Sequence, residues 1–284
     1  MPQQPGRTTV TTTSDAARAE AVPLPPGPPV WQVLLVFLGV SALASALLAA
    51  VQGAVGPPTD VLVLTQLATA VGALVTWLLW RGRLVLPPVR TRGWRAPLLT
   101  SLAVAVVVGA VLWLVQAAGA GTWPPLDHAT LGAPLVVVLA AQLVGAAGEE
   151  VGWRGLVQPV LETRLRLLPA ALVTGLMFGL GHVHVLAAGI GVYALFLVSA
   201  VGLSVALAVV TAGRAVLQRV VLATVLHWLV NVVMLVGFSG GDTSVGWTAG
   251  TAAATVVAGL GCVLVARARR AGPRPPRRTA SDPR

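Results

Sequence analysis

Between residues 30 and 266 the chain is a succession of long apolar runs separated by short connections rich in Pro, Gly, Arg or Asp. A helix needs about 20 predominantly apolar residues to cross a bilayer core. Runs of that order occur at residues 30–51, 59–80, 97–118, 131–148, 169–187, 191–211, 220–236 and 244–266. Backbone groups in lipid must be satisfied within the segment, so each run reads as a helix. The expected fold is all-α, a polytopic membrane bundle of about eight transmembrane helices. Residues 155–168 scatter Glu162, Arg164 and Arg166 among Leu and Val and are expected to lie amphipathically along the interface. Residues 1–29, Thr-rich and then Pro-rich, read as a disordered arm without the apolar core of a signal peptide, and residues 267–284 as a basic disordered tail.

Composition sharpens this picture. A mean hydropathy of +0.85, with 56% hydrophobic and only 10% charged residues, excludes a soluble domain. The net charge of +10 would suit a nucleic-acid partner if it were spread over one surface. Instead the basic residues, all Arg, sit in short clusters between apolar runs and in the tail, so membrane topology accounts for them and no nucleic acid is expected. With eight spans and a cytoplasmic N-terminus, every Arg falls in an inward segment: 7 and 18, 81–95, 154–166, 214–219 and the tail. The outward connections hold Asp60, Asp127 and Asp242 and no Arg. The expectation is a multi-pass plasma-membrane protein with both termini cytoplasmic. Arg used without Lys, among abundant Ala, Val and Gly, fits a GC-rich bacterial genome. The single Cys262 excludes an intramolecular disulfide and a thiolate metal cluster. Trp31, Trp80, Trp94, Trp123 and Trp247 fall at span ends, where an interfacial aromatic belt accounts for them.

Against this background a few polar residues stand out. Glu149 and Glu150 adjoin the apolar run 131–148, and ionisable groups at membrane depth mark functional sites by default. Glu150 and Arg154 are four apart with the acid first, the better order for a helical ion pair. Glu149 lies about 100° around the helix and lacks that counter-charge. Glu149 is therefore the candidate for chemistry, and Glu150 for holding the site in shape, with the pair opening toward the cytoplasmic face. Phe178 and His182 are four apart, as are His227 and Asn231, and polar groups at one-turn spacing in apolar helices face a bundle interior. His184, about 200° from His182, and His128, in an outer connection, are read as non-catalytic. Gly175, Gly179 and Gly181 are read as close-packing positions.

The ordered set Glu149-Glu150-x-x-x-Arg154, Phe178-x-x-x-His182 and His227-x-x-x-Asn231 resembles the CAAX-protease and bacteriocin-processing (CPBP, or Abi) family of intramembrane endopeptidases. The resemblance covers roughly residues 130–235, with the motif core at 131–236. It implies that Glu149 and His182 activate water, that His227 and Asn231 donate to an oxyanion, and that Glu150, Arg154 and Phe178 support the site. The family's Thr-Gly stretch is distorted here to Thr211-Ala212-Gly213, and residues 214–219 look like a short insertion touching no catalytic position. The implied activity is hydrolysis of a peptide or membrane-protein substrate near the cytoplasmic side. No cofactor is required in that mechanism, although Glu149, His182 and His227 form an alternative zinc set; no H-E-x-x-H signature is present. Two other functions stand beside it. One is a proton-coupled transporter, which would use the same Glu and His residues as a relay. The other is a non-catalytic immunity or scaffolding member of the family. The lipid bilayer is the only other partner the sequence names, and oligomeric state stays open.

Overall fold

The computed structural model describes residues 27–91, 93–119, 121–239 and 244–271. The arm up to residue 26, Asp242 and the tail beyond residue 271 lie outside the described residues. All regular structure among those residues is helical: α1 (Val30–Val55), α2 (Ala68–Leu79), α3 (Arg95–Ala117), α4 (Leu135–Gly152), α5 (Gln158–Glu162), α6 (Leu167–Leu180), α7 (Ile190–Thr211), α8 (Val216–Phe238) and α9 (Val245–Ala271). Six helical stretches are long and apolar enough to cross a membrane, and two shorter apolar ones, Leu64–Leu79 and Leu167–Leu180, account for the remaining runs.

The two short helices have local causes. The run expected at 59–80 begins as a turn because the Gln52 side chain holds it: Nε2 donates to the carbonyls of Pro57 and Leu62, and Oε1 accepts from the Leu64 N–H. The run expected at 169–187 leaves the α-helix at Leu180 and continues as a 3₁₀ segment over Val183–Ala188. The freed carbonyls at that break are capped by side chains, with His182 Nδ1 donating to Phe178 O at 2.8 Å and Tyr193 Oη donating to Leu180 O at 3.1 Å. Gly189, at φ 109°, then reverses the chain into α7.

Helix α4 does not stop at the acid pair. It passes through a π turn, Trp153–Val157, into α5, making one 28-residue rod from Leu135 to Glu162. Pro159 explains the wide turn, since it lacks the N–H for a helical bond and its ring crowds the preceding carbonyls. Residues 155–168 are thus not the expected interfacial helix: Leu156, Val157, Gln158, Val160 and Leu161 are buried against α1 and α6.

Close approach between helices follows from small residues. A Cβ on Gly148 would lie 2.8 Å from the Gln66 carbonyl oxygen, and one on Gly152 would lie 2.6 Å from the Thr69 Cβ. This glycine face of α4 packs on α2, where Thr69 Oγ1 donates to the Gly148 carbonyl at 3.0 Å, and it turns the acid pair toward the other helices. Gly175 and Gly179 play the same part between α6 and α7, as expected, whereas a Cβ on Gly181 would meet only the carbonyls of its own helix end. The Arg-bearing connections meet at one end of the bundle: Arg90 and Thr91 donate from their backbone to the Gly213 carbonyl, Arg214 and Gln218 reach the Gly93 carbonyl, and Arg219 pairs with Glu162. Asp60, which accepts from the Gly132 N–H, and Leu126, which donates to Val236 O, close the opposite end. Two tryptophans assigned to an interfacial belt are core residues instead. Trp123 and Trp247, 4% and 5% exposed, stack edge-to-face at 5.2 Å beside Phe238.

Candidate active site

Glu149 and Glu150 lie in mid-rod, where α4 faces α8 and α6. Glu162 lies thirteen positions beyond Glu149, about 20 Å along a helix, so the pair sits deep in the bundle and not at a helix end. Glu150 is fully buried and is held from two helices. Its carboxylate meets Arg154 Nη1 at 3.1 Å, one turn along its own helix, and accepts from His227 Nδ1 of α8 at 2.8 Å. The expected ion pair is present, and it is wider than expected: the same acid also ties α4 to α8. Trp228 Nε1, donating to the Leu139 carbonyl at 2.9 Å, is a second tie between these helices. Arg154, 2% exposed, belongs to the interior and not to the Arg-rich end with which its sequence position groups it.

Glu149 points into the space between the two histidines. Its Oε2 is 3.7 Å from His227 Nε2 and its Oε1 is 4.0 Å from His182 Nε2. Both are longer than direct hydrogen bonds and suit groups that share a water or substrate atom between them. A carbonyl can only accept, so the His182 Nδ1 bond to Phe178 fixes the proton on Nδ1 and leaves Nε2 facing Glu149 as the basic nitrogen. His227, with Nδ1 donating to Glu150, offers a second donor at Nε2 only as the imidazolium. Phe178 is the hub of the apolar wall: its ring is 4.6 Å from His182, 6.1 Å from His227 and 5.9 Å from Trp153. His184 is exposed, with its ring 5.5 Å from that of His182.

The structure thus brings together six of the seven residues singled out from sequence: Glu149, Glu150, Arg154, Phe178, His182 and His227. Asn231 is half-buried, one turn beyond His227 on α8, and among the described residues no hydrogen bond links it to the cluster. Tetrahedral zinc ligands at about 2.0–2.1 Å from the metal stand about 3.3 Å apart. Among the described residues no group of three His, Cys, Asp or Glu side chains is disposed to hold a metal ion.

Residues 131–233 match the family model described as type II CAAX prenyl endopeptidase Rce1-like. That segment is therefore similar to the CPBP family. Its limits enclose the whole cluster and coincide closely with the stretch on which the motif resemblance rests. No curated protein matched the chain. The matched segment starts just before α4 and ends within α8, so Glu149, Glu150, Arg154, His182 and His227 all lie inside it, while α1, α2, α3 and α9 lie outside it.

Sequence reading missed a second polar cluster within the same segment. Arg219, 1% exposed, grips Glu162 through two nitrogens at 2.6 and 2.9 Å, and Gln158 Nε2 donates to the same carboxylate at 2.9 Å. It joins the end of the α4–α5 rod to the first turn of α8, the two elements that carry Glu149 and His227. The available signal was an Arg one turn inside an apolar helical pattern, which calls for a buried partner. Reading residues 214–219 as an insertion hid it.

Proposed function

We infer that the protein is an intramembrane endopeptidase that hydrolyses a peptide bond with water activated by Glu149 and His182. The observation that carries this reading is the convergence of Glu149 from α4, His182 from the break after α6 and His227 from α8 on one point inside an apolar bundle, at 3.7 and 4.0 Å. The transporter alternative draws no comparable support, because both histidine nitrogens turned away from Glu149 are engaged in fixed hydrogen bonds. In the proposed reaction Glu149 takes a proton as the water oxygen bonds to the peptide carbonyl carbon. The carbonyl oxygen gains the negative charge and is met by donors on α8, His227 Nε2 and the Asn231 amide. As the charge returns to the carbonyl, the C–N bond breaks, and the proton held by Glu149 or His182 passes to the departing amine. Glu150 and Arg154 do not touch the reacting atoms; they set the position of His227. The mechanism uses no metal, and the Arg-rich end of the bundle faces the cytoplasm by the positive-inside rule.

The test is a comparison of membrane-derived peptides in cells carrying the wild type and Glu149→Gln, with metal analysis of the purified protein. Peptides present only with the wild type are expected, together with activity that survives chelation. Identical peptide profiles would remove the endopeptidase reading. One zinc per chain, with activity lost on chelation and restored by zinc, would replace the metal-free mechanism and keep the site.

A further inference from the structure

An apolar groove of about 340 Å³ lies at the Arg-rich end of the bundle, walled by Leu74 and Trp77 of α2 and by Val216 and Val220 of α8, with Gly155 and Leu156 of the π turn as its floor. It opens outward, since Leu74 is 55% and Trp77 44% exposed. Within a membrane an outward apolar groove of this kind meets lipid chains. What distinguishes this one is its mouth. Arg81, the residue that ends the α2 span, stacks its guanidinium over the Trp77 ring at 5.2 Å, which holds a planar cation at the groove's edge without neutralising it. Arg81 opens a connection that carries Arg83, Arg90, Arg92 and Arg95 and no acidic residue through position 95. An apolar channel ending at an exposed guanidinium is complementary to an amphiphile with a negatively charged head.

We propose that this groove is a binding site for an anionic phospholipid of the leaflet at the Arg-rich end, with an acyl chain along Leu74, Trp77, Val216 and Val220 and the phosphate on Arg81. The floor gives the site a reach beyond anchoring. Gly155 and Leu156 directly follow Arg154 in the π turn, so a bound chain packs against the backbone that carries the Glu150 partner. Filling the groove also covers the gap between α2 and α8 over the π turn.

The experiment uses the full chain in nanodiscs and a phospholipid with a photoreactive group on its acyl chain, carrying either a phosphatidylglycerol or a phosphatidylcholine head. Crosslinked peptides are mapped and quantified. Labelling is expected to concentrate on residues 73–86 and 216–220 and to be several-fold stronger with phosphatidylglycerol. Arg81→Gln should lower phosphatidylglycerol labelling about fivefold and leave phosphatidylcholine labelling unchanged. Leu74→Trp, which fills the groove from an exposed position, should remove both. Equal labelling by the two heads, or label spread evenly over the lipid faces of α3 and α9, would overturn the proposal. So would displacement of the label by a lipid-modified peptide but not by excess phosphatidylglycerol, which would give the groove to a substrate. Because the readout is binding, its failure is distinct from failure of the endopeptidase reading.

Discussion

Glu150 and His182 flank the same carboxylate, that of Glu149, yet they are secured in opposite ways. On the α4–α8 side, Glu150 is fully buried, bonded to Arg154 and His227, and backed by a glycine-tight contact with α2. On the α6 side, His182 is 25% exposed, against 9% and 7% for Glu149 and His227, and sits where the helix breaks, with no buried residue in the 3₁₀ segment that follows. Charge explains the contrast. A buried carboxylate–guanidinium pair gains back its desolvation cost only in good geometry, which favours a rigid arrangement on that side of the site. A neutral imidazole carries a smaller desolvation penalty and can stand at the open edge. On the proposed reading the open edge is where a peptide carbonyl would enter, which would divide rigidity and access between the two sides of the site.

The sharpest way to break this comparison is at its centre. Glu149→Gln keeps the shape and removes the base, so turnover should fall by about 10²–10⁴-fold while the thermal midpoint of the purified protein stays within error of wild type. Glu150→Gln should do the reverse in emphasis. Leaving Arg154 and His227 without their carboxylate should cost about 3–5 kcal/mol of stability, read as a lowered unfolding midpoint, with activity lost in parallel. Equal stability of the two variants would erase the distinction between a reacting acid and a structural one.

Asn231 tests whether α8 contributes to the open half as well as to the rigid one. As an oxyanion donor its loss in Asn231→Ala should cost about 2.7–4 kcal/mol of transition-state stabilisation, seen in kcat with KM nearly unchanged; a rise in KM alone would make it a binding residue. The smallest effect is expected at the helix break. Tyr193→Phe removes the cap on the Leu180 carbonyl and should lower stability by about 1 kcal/mol, with faster hydrogen exchange confined to residues 179–189. Exchange that rises across α4 and α8 instead would show the two halves to be one cooperative unit.

Much of the fold was legible because hydropathy acts through local, additive preferences. Every apolar run became a helix, and the Arg-bearing connections gathered at one end. The two shortened helices were less legible, since the Gln52 side chain holds the turn before one and Tyr193 stabilises the break in the other. The site was legible in residue type, because a Glu, a His or an Arg in an apolar run has few explanations. Its wiring was not: nothing in the spacing joins Glu150 to His227, 77 positions away, or separates buried Trp123 and Trp247 from tryptophans at a lipid interface.

The sequence by itself determined that the chain is a helical membrane bundle and singled out Glu149, His182 and His227 as candidates for its chemistry, because apolar length and misplaced charge are properties of single segments. Only the tertiary structure decided how deep the acids lie, that Glu150 serves two helices, and that Glu162 and Arg219 lock the rod to α8. Those outcomes depend on the π turn ahead of Pro159 that carries α4 onward, and on glycine faces that set which side of each helix meets which neighbour. Both are matters of packing in three dimensions, where residues far apart in the chain compete for the same space.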